Sequence, residues 1–205
     1  MARRSDHTRE QLAELVLGEA QRLVEAEGFG ALTARRVAEA VGYSPGTLYN
    51  HFRNLDDLVV HVNARTLELL DSELAGAAPT GDPQADALAL ALAYFSFVER
   101  HPRLWELLYE YRLGEGSELP RWFTGRIEAI LARMARVLEP LFAPGDKAGV
   151  EEAVQVLWAS LHGIGSLATS GKLEVVTARS AAQLARSLVV HYVGGLKAKR
   201  GQERG

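Results

Sequence analysis

Residues 31–54, ALTARRVAEAVGYSPGTLYNHFRN, read as two short helices joined by a turn that contains glycine. Thr33 carries a hydroxyl that can cap the start of the first helix, and Gly42 is the residue type that ends a helix in the left-handed conformation. Ser44 and Pro45 then form a second helix start, because proline at the first helical position gives up no hydrogen bond. The pattern predicts a helix-turn-helix over about residues 31–52.

The second of these helices has an outer surface suited to DNA. Leu48 and Phe52 are four residues apart and point inward on the helical period, which leaves small residues outside at the start of the helix. A helix with a small first turn can lie deep in a major groove, where Thr47 and Asn50 can bond base edges. The alternative is a generic helical hairpin whose polar residues face solvent. The residues placed to bond phosphates are Tyr49, His51 and Arg53.

The segment LTARRVAEAVGYSPGTLYNHFRN resembles the N-terminal domain of the TetR family of transcriptional regulators, together with the preceding TREQLAELVLGEAQRLVEAEGFG and the following LDDLVVHV. The resemblance covers about residues 8–68, and VGYSPGTLY and HF are specific to the family. Leu55 stands where that family usually has a phosphate-binding lysine, so Arg53 is the candidate substitute. The resemblance implies DNA contacts from Thr33, Arg35, Ser44, Pro45, Gly46, Thr47, Tyr49, Asn50 and His51.

Composition is that of an ordinary globular protein. The 205 residues are 47% hydrophobic and 24% charged, and the absence of cysteine excludes disulfides and thiolate chemistry. No apolar leader and no uninterrupted apolar run of membrane-spanning length is present, so we expect a cytoplasmic protein without a membrane segment. The net charge is −3, but residues 31–55 carry three arginines against Glu39 alone, a local +2. A basic arm, Arg3 and Arg4, precedes the first helix.

Helical periodicity continues through the rest of the chain, and no strand pattern is found. We therefore predict an all-α fold with an N-terminal three-helix helix-turn-helix domain, residues 1–68, and a C-terminal helical ligand-binding and dimerisation domain, residues 69–205. Residues 75–83, AGAAPTGDP, form a predicted loop. The helices outside the helix-turn-helix are predicted at about 8–27, 55–74, 84–100, 102–113, 119–142, 149–170 and 177–199.

Most of the aromatic residues fall between positions 94 and 158. Rings with polar tips can line a cavity for a hydrophobic or amphipathic molecule, although rings at helical spacing also serve simply as core. The absence of a charged cluster among them favours a neutral or lipophilic small-molecule effector. The candidate ligand-binding residues are Trp105, Tyr109, Trp122, Phe123, Trp158 and His162.

Trp158 and His162 are four residues apart and share a helix face, with Gly163 beside them. The alternative for such a histidine is a purely structural role. The Trp-x-x-x-His-Gly arrangement resembles the C-terminal domain of the Trp-His-Gly (WHG) branch of the TetR family. That resemblance implies a homodimer in which the last two helices, about 149–170 and 177–199, form a four-helix bundle with their copies.

Motifs for catalysis or metal binding are not found in the sequence. Its histidines do not fall in a metal-ligand spacing, and no GxSxG, Walker A or dinucleotide-binding motif follows a strand. We expect no enzyme activity, no cofactor and no metal. A helical small-molecule carrier or a protein-interaction module is the alternative function, but neither accounts for the small, polar surface of residues 44–51. The sequence therefore predicts a DNA-binding transcriptional regulator, a ligand-responsive repressor that binds a near-palindromic operator as a dimer.

Overall fold

The computed structural model describes residues 7–115 and 118–203. Within these residues the chain forms ten α-helices and two short 3-10 turns, Phe29–Ala31 and Glu139–Leu141, and no strand. The all-α fold with a helix-turn-helix near its N-terminus is confirmed. The helices are α1 (Arg9–Glu27), α2 (Ala34–Ala40), α3 (Pro45–Leu48), α4 (Leu55–Ala75), α5 (Pro83–Arg100), α6 (Pro102–Glu110), α7 (Arg121–Leu138), α8 (Lys147–Thr169), α9 (Leu173–Val176) and α10 (Ala181–Glu203).

Helix ends differ from the prediction where capping was overlooked. The helix predicted over 119–142 ends at Leu138, and the chain continues into a 3-10 turn that contains Pro140, because proline cannot donate to a continuing helix. The last helix begins at Ala181 rather than at 177. Ser180 and Gln183 exchange hydrogen bonds there, with the Gln183 amide donating to the Ser180 hydroxyl at 3.2 Å and the Ser180 amide donating to the Gln183 side chain at 2.9 Å.

The described chain divides into two compact units. The first contains residues up to Glu68 together with His101–Thr124, and the second contains Leu69–Arg100 and the residues from Gly125 onward. The sequence predicts one division, after residue 68, with 101–124 in the C-terminal part, whereas 101–124 groups here with the first compact unit. The functional division at 68 stays a prediction.

Packing explains why α6 groups with the helix-turn-helix. Leu104 and Leu107 are fully buried in the same apolar core as α1, α2 and α4. Arg103 also donates to the carbonyls of Glu25 and Ala26, which lie in the last turn of α1 and lack partners within the helix. Helix α6 thus completes the core on which the helix-turn-helix rests.

In the second unit, α10 packs along α5 and α8. Small and β-branched residues make this possible, since Ala185, Val189 and Val193 follow one another every four residues on α10 and are fully buried. Ala87 and Ala91 on α5 are equally buried and allow a close approach. Among the residues described, no helix has the length and apolar character needed to cross a membrane.

Candidate nucleic-acid interface

The first helix of the motif is built by the residues that the sequence indicated. The Thr33 hydroxyl accepts a hydrogen bond from the Arg36 amide at 3.2 Å and caps α2. Gly42 has φ +76°, and the Tyr43 amide then donates to the Ala38 carbonyl at 2.9 Å, which closes the helix end. Val37 and Ala38 are buried, so α2 is fixed against the rest of the unit.

The second helix, α3, is shorter than expected. Leu48 and Phe52 are 2% and 4% exposed, which confirms the predicted inward face. After Leu48, however, the Asn50 and His51 amides donate to carbonyls three residues back, so this part of the predicted helix is a series of tight turns. The outer surface of residues 44–51, called the recognition surface below, therefore begins on one helical turn and continues on a tighter backbone.

Ser44 stands at the N-cap of α3, but its hydroxyl does not cap the helix as predicted. It lies 3.0 Å from the Thr47 hydroxyl instead and shares a hydrogen bond with it. The short helix explains the difference, because its first turn is nearly its whole length and the two hydroxyls compete with the backbone for the same bond. Both hydroxyls lie on the outer surface, where each retains bonding capacity for a nucleic acid.

Each predicted DNA-contact residue lies at the surface of the first unit. Thr47 and His51 are half-buried and the other eight are exposed. Tyr49 is the aromatic ring among the exposed residues and is 49% exposed. A tyrosine that is half exposed directly after the buried Leu48 presents both its ring and its hydroxyl to solvent. The predicted DNA-contact residues are Thr33, Arg35, Ser44, Pro45, Gly46, Thr47, Tyr49, Asn50, His51 and Arg53.

The arginines of this surface are paired with carboxylates of the same unit. Arg35 donates to Glu39 at 2.8 Å, and this hydrogen bond raises the pKa of the guanidinium. Arg53 donates through its backbone and its side chain to Asp57, at 2.9 and 3.2 Å. Burial acts to raise the pKa of Asp57, but the hydrogen bonds from Arg53 together lower it by more. The pKa of Asp57 is therefore below its ordinary value. The Arg35–Glu39 pair is exposed on both sides, and exposed ion pairs of this kind are weak and exchange readily with phosphate.

Two contacts at the start of α1 were not foreseen from the sequence. Arg9 donates to the Asn50 carbonyl at 3.3 Å, and the His7 ring nitrogen lies 3.0 Å from the Tyr43 hydroxyl. Both place polar groups at or just before the start of α1 beside the turn and second helix of the motif, residues 43–51. No local sequence signal could have shown this, because the partners are 41 and 36 residues apart. Arg3 and Arg4, the predicted basic arm, lie outside the described residues.

Comparison with known families matches both parts of the chain. The family profile of bacterial regulatory proteins of the tetR family matches residues 16–62, which contain the helix-turn-helix. The profile of the tetracyclin repressor-like C-terminal domain matches residues 87–192, more than half of the chain. The chain belongs to the TetR family. It is a DNA-binding transcriptional regulator.

Individual proteins are similar to this TetR-family chain in sequence or in fold. An uncharacterised HTH-type transcriptional regulator of Mycobacterium tuberculosis is 27% identical over 175 residues, which cover 85% of this chain and 76% of the relative. A protein of unknown function from Rhodococcus sp. RHA1 shares the fold with a TM-score of 0.75 at 23% identity, covering 96% of this chain and 100% of that one. A tetR-family regulator from Streptomyces coelicolor has a TM-score of 0.69 at 18% identity, covering 95% and 90%.

The candidate ligand residues of the TetR-family chain lie in both units. Trp105 and Phe123 are buried in the first unit, where Trp105 packs against Tyr109 at 5.1 Å between ring centroids. Trp122, also in the first unit, is 45% exposed and packs against His61 at 5.0 Å. Trp158 and His162 lie in the second unit and stack at 5.2 Å with an interplanar angle of 16°. The predicted sharing of a helix face by this last pair is confirmed.

Three cavities among the described residues of the second unit lie along α7. An apolar cavity of about 50 Å³ has Trp158 in its wall, and a cleft of about 360 Å³ adjoins it at Leu90 and Arg133. A more open cleft of about 790 Å³ lies between α7, the Glu139–Leu141 turn and the start of α8. Sites for drug-sized ligands commonly measure about 300–1,000 Å³, so the apolar cavity must expand to hold an effector.

Proposed function

We propose that this TetR-family regulator is a ligand-responsive repressor that binds a near-palindromic operator as a homodimer. The observation that carries the proposal is the exposed surface of residues 44–51, which is small, polar and aromatic above the buried Leu48 and Phe52. One such surface contacts only a few base pairs, whereas two related by a twofold axis read a site long enough for useful specificity.

The proposed contacts follow the geometry of the surface. Thr47 and Asn50 bond base edges, and the phosphates are bound by the cationic and hydroxyl groups around them. Arg9 joins the phosphate-binding set because it lies against the Asn50 backbone. Leu55 packs against the core and contributes no charge, so Arg53 takes the phosphate in its place. Besides Arg9, the residues proposed to contact DNA are Thr33, Arg35, Ser44, Pro45, Gly46, Thr47, Tyr49, Asn50, His51 and Arg53.

The proposed dimer interface is the outer face of α8 and α10, within residues 149–170 and 177–199. Val156 and Leu167 on α8 and Val190 on α10 are exposed apolar residues of these two helices. Leu184 and Leu188 line a shallow apolar groove between the two helices. Apolar side chains exposed along two adjacent helices mark an interaction surface, and a second copy offers the complementary face.

The proposed effector is a neutral or lipophilic small molecule that binds in the C-terminal domain, residues 69–205. The stacked pair Trp158 and His162 supports this site, and it also supports assignment to the Trp-His-Gly branch of the family. An effector that prefers a conformer with a mismatched separation of the two recognition helices would release the operator. As a chromosome-binding regulator the protein would act in the cytoplasm, without catalysis.

The test is selection of bound duplexes from a random DNA library, followed by measurement of the oligomer. We expect enrichment of an inverted repeat by the wild-type chain. Val190→Glu places a charge in the proposed interface and should give a monomer with weak operator binding. Val175→Glu is the matched control, because that valine is 85% exposed and lies outside the proposed interface helices. A dimeric Val190→Glu variant would refute the interface, and enrichment of no sequence would refute operator recognition.

A further inference from the structure

The apolar cavity of the second unit has walls from α4, α5, α7 and α8. Its lining includes Leu74, Tyr94, Ile130, Met134 and Leu161, and its volume is about 50 Å³. A water molecule takes about 30 Å³ in the liquid, but a cavity with almost no polar lining gives water few partners. The chemistry of the walls therefore favours hydrocarbon over water.

The wall of the cavity that α7 forms is the one that can move outward. Leu74, Leu90 and Leu161 on the other helices are buried, whereas Ile130 and Met134 of α7 are only half-buried. The neighbouring Leu131 and Val137 of α7 are half-buried as well. A helix with few fully buried apolar residues moves outward at low cost, which allows the cavity to lengthen around a ligand.

Arg133 stands where the apolar cavity meets the surface cleft of about 360 Å³, since its side chain lines both. Its terminal nitrogen donates to Asp71 at 2.7 Å, and its side chain is 27% exposed. Its Nε is buried, and no acceptor among the described residues bonds to it. A buried N–H group of a cation is costly to leave without a hydrogen bond, so an acceptor oxygen of a ligand beside the Arg133 Nε would be stabilising.

The other charged groups of the cleft leave Arg133 as the group that a ligand would satisfy. Asp86 already accepts bonds from the Thr80 amide at 2.7 Å, the Thr80 hydroxyl at 2.6 Å and the Gly81 amide at 3.1 Å. Arg136 lies exposed one helical turn from Arg133 and adds a second cation to the lining. An entering group thus meets two guanidinium groups and a carboxylate whose bonds are already made.

We propose that this site binds a lipophilic carboxylic acid, with its hydrocarbon part in the apolar cavity and its carboxylate on Arg133. The inference rests on the proposed ligand-responsive function and specifies the chemical class of the effector. A carboxylate matches the fork of a guanidinium and forms a charge-assisted pair with it. It competes with Asp71, which belongs to α4, the helix that begins directly after the recognition segment. Ligand entry therefore exchanges an α4–α7 contact for a ligand contact.

The experiment compares decanoate with decanol by isothermal titration calorimetry on the full chain without DNA. The acid should bind about 10–100-fold more tightly than the alcohol, because a hydrogen bond to a charged group contributes that much. Arg133→Gln should abolish this preference. Arg100→Gln is the matched control, since Arg100 also pairs with an α4 carboxylate, Glu73, but lines neither cavity. Asp71→Asn should strengthen decanoate binding, because the competing carboxylate is gone.

Equal binding of acid and alcohol to the wild-type chain would overturn the proposal, and that comparison requires no variant to fold. Failure of both to bind would overturn it as well, as would an unchanged preference in a folded Arg133→Gln variant. Operator binding by the ligand-free protein is measured separately. A chain that binds decanoate through Arg133 but enriches no DNA sequence would refute the proposed repressor function and leave the acid site standing.

Discussion

Tyr111→Phe tests whether a hydrogen bond to Asp56 of α4 stabilises the segment after α6 within the first unit. The Tyr111 hydroxyl donates to the Asp56 carboxylate at 2.7 Å, and the Gly114 amide donates to the same carboxylate at 3.0 Å. A bond to a charged acceptor contributes about 1.5–3 kcal/mol when desolvated. Tyr111 is only half-buried, so we expect a loss of about 1–2 kcal/mol in the free energy of unfolding. The melting temperature should fall by about 2–8 °C for a chain of this size.

The pH dependence of the same bond gives an independent measurement. Burial, together with the hydrogen bond to Asp56, raises the pKa of Tyr111 from 10.0 to about 12. A group whose pKa is raised on folding stabilises the protein fully below its unfolded pKa and loses that contribution as the pH passes its folded pKa. Wild type should therefore lose its advantage over Tyr111→Phe between pH 10 and about 12.

Urea unfolding followed by circular dichroism measures both effects, with Tyr49→Phe as the control. That variant also removes one phenolic hydroxyl from the first unit, but Tyr49 is 49% exposed. We expect it to unfold like wild type. If the two variants unfolded alike, or if Tyr111→Phe kept its deficit unchanged above pH 12, the reasoning about the Asp56 bond would be refuted.

Three further predictions concern the DNA surface and the cleft of the second unit. Tyr49→Ala should lower operator affinity by about 1–3 kcal/mol in a fluorescence anisotropy titration, and unchanged affinity would remove Tyr49 from the interface. Glu39→Gln should raise affinity severalfold at low salt by freeing Arg35 from its ion pair, and a lower affinity would contradict the competition between Glu39 and phosphate. Asp86→Ala leaves the Thr80 and Gly81 donors without their acceptor and should lower the free energy of unfolding of the second unit by about 2–4 kcal/mol in a urea titration. A loss under about 1 kcal/mol would contradict a stabilising role for these hydrogen bonds.

Local rules were enough to predict the first helix and the buried face of the helix-turn-helix, although not the short length of α3. Thr33 caps α2 with its hydroxyl, and the Asn54 side chain accepts from the Asp57 amide at 2.8 Å at the start of α4. Leu48 is buried because the helical period places it inward. Each of these features depends on residues within four positions of one another, which is the range that a sequence pattern reports.

Two of the features that the sequence missed depend on distant residues. The grouping of α6 with the first unit requires Arg103 to reach the end of α1 and Tyr111 to reach Asp56, contacts across 77 and 55 positions. The position of Arg133 between two cavities likewise depends on how α4, α5 and α8 pack around α7. Helical periodicity marks an apolar face but does not say which helix covers it. Tertiary packing decides that, so the candidate acid site could be recognised only in the structure.

The ion pairs of the recognition surface explain how a chain with a net charge of −3 can select an operator. Arg35 and Arg53 are each held by a carboxylate before DNA arrives, so a phosphate must replace an existing partner. Replacing a carboxylate by a phosphate gains less binding free energy than a phosphate binding to an unpaired arginine would gain. The sequence-independent part of the affinity is therefore weaker. The Thr47 hydroxyl already shares a hydrogen bond with Ser44, but a hydroxyl can donate and accept at once, so the proposed base-edge contacts of Thr47 and Asn50 displace no ionic partner. With the proposed contacts, discrimination between operator and other DNA depends more on bases than on phosphates, and we predict a salt dependence of operator binding that is shallow for the number of arginines present.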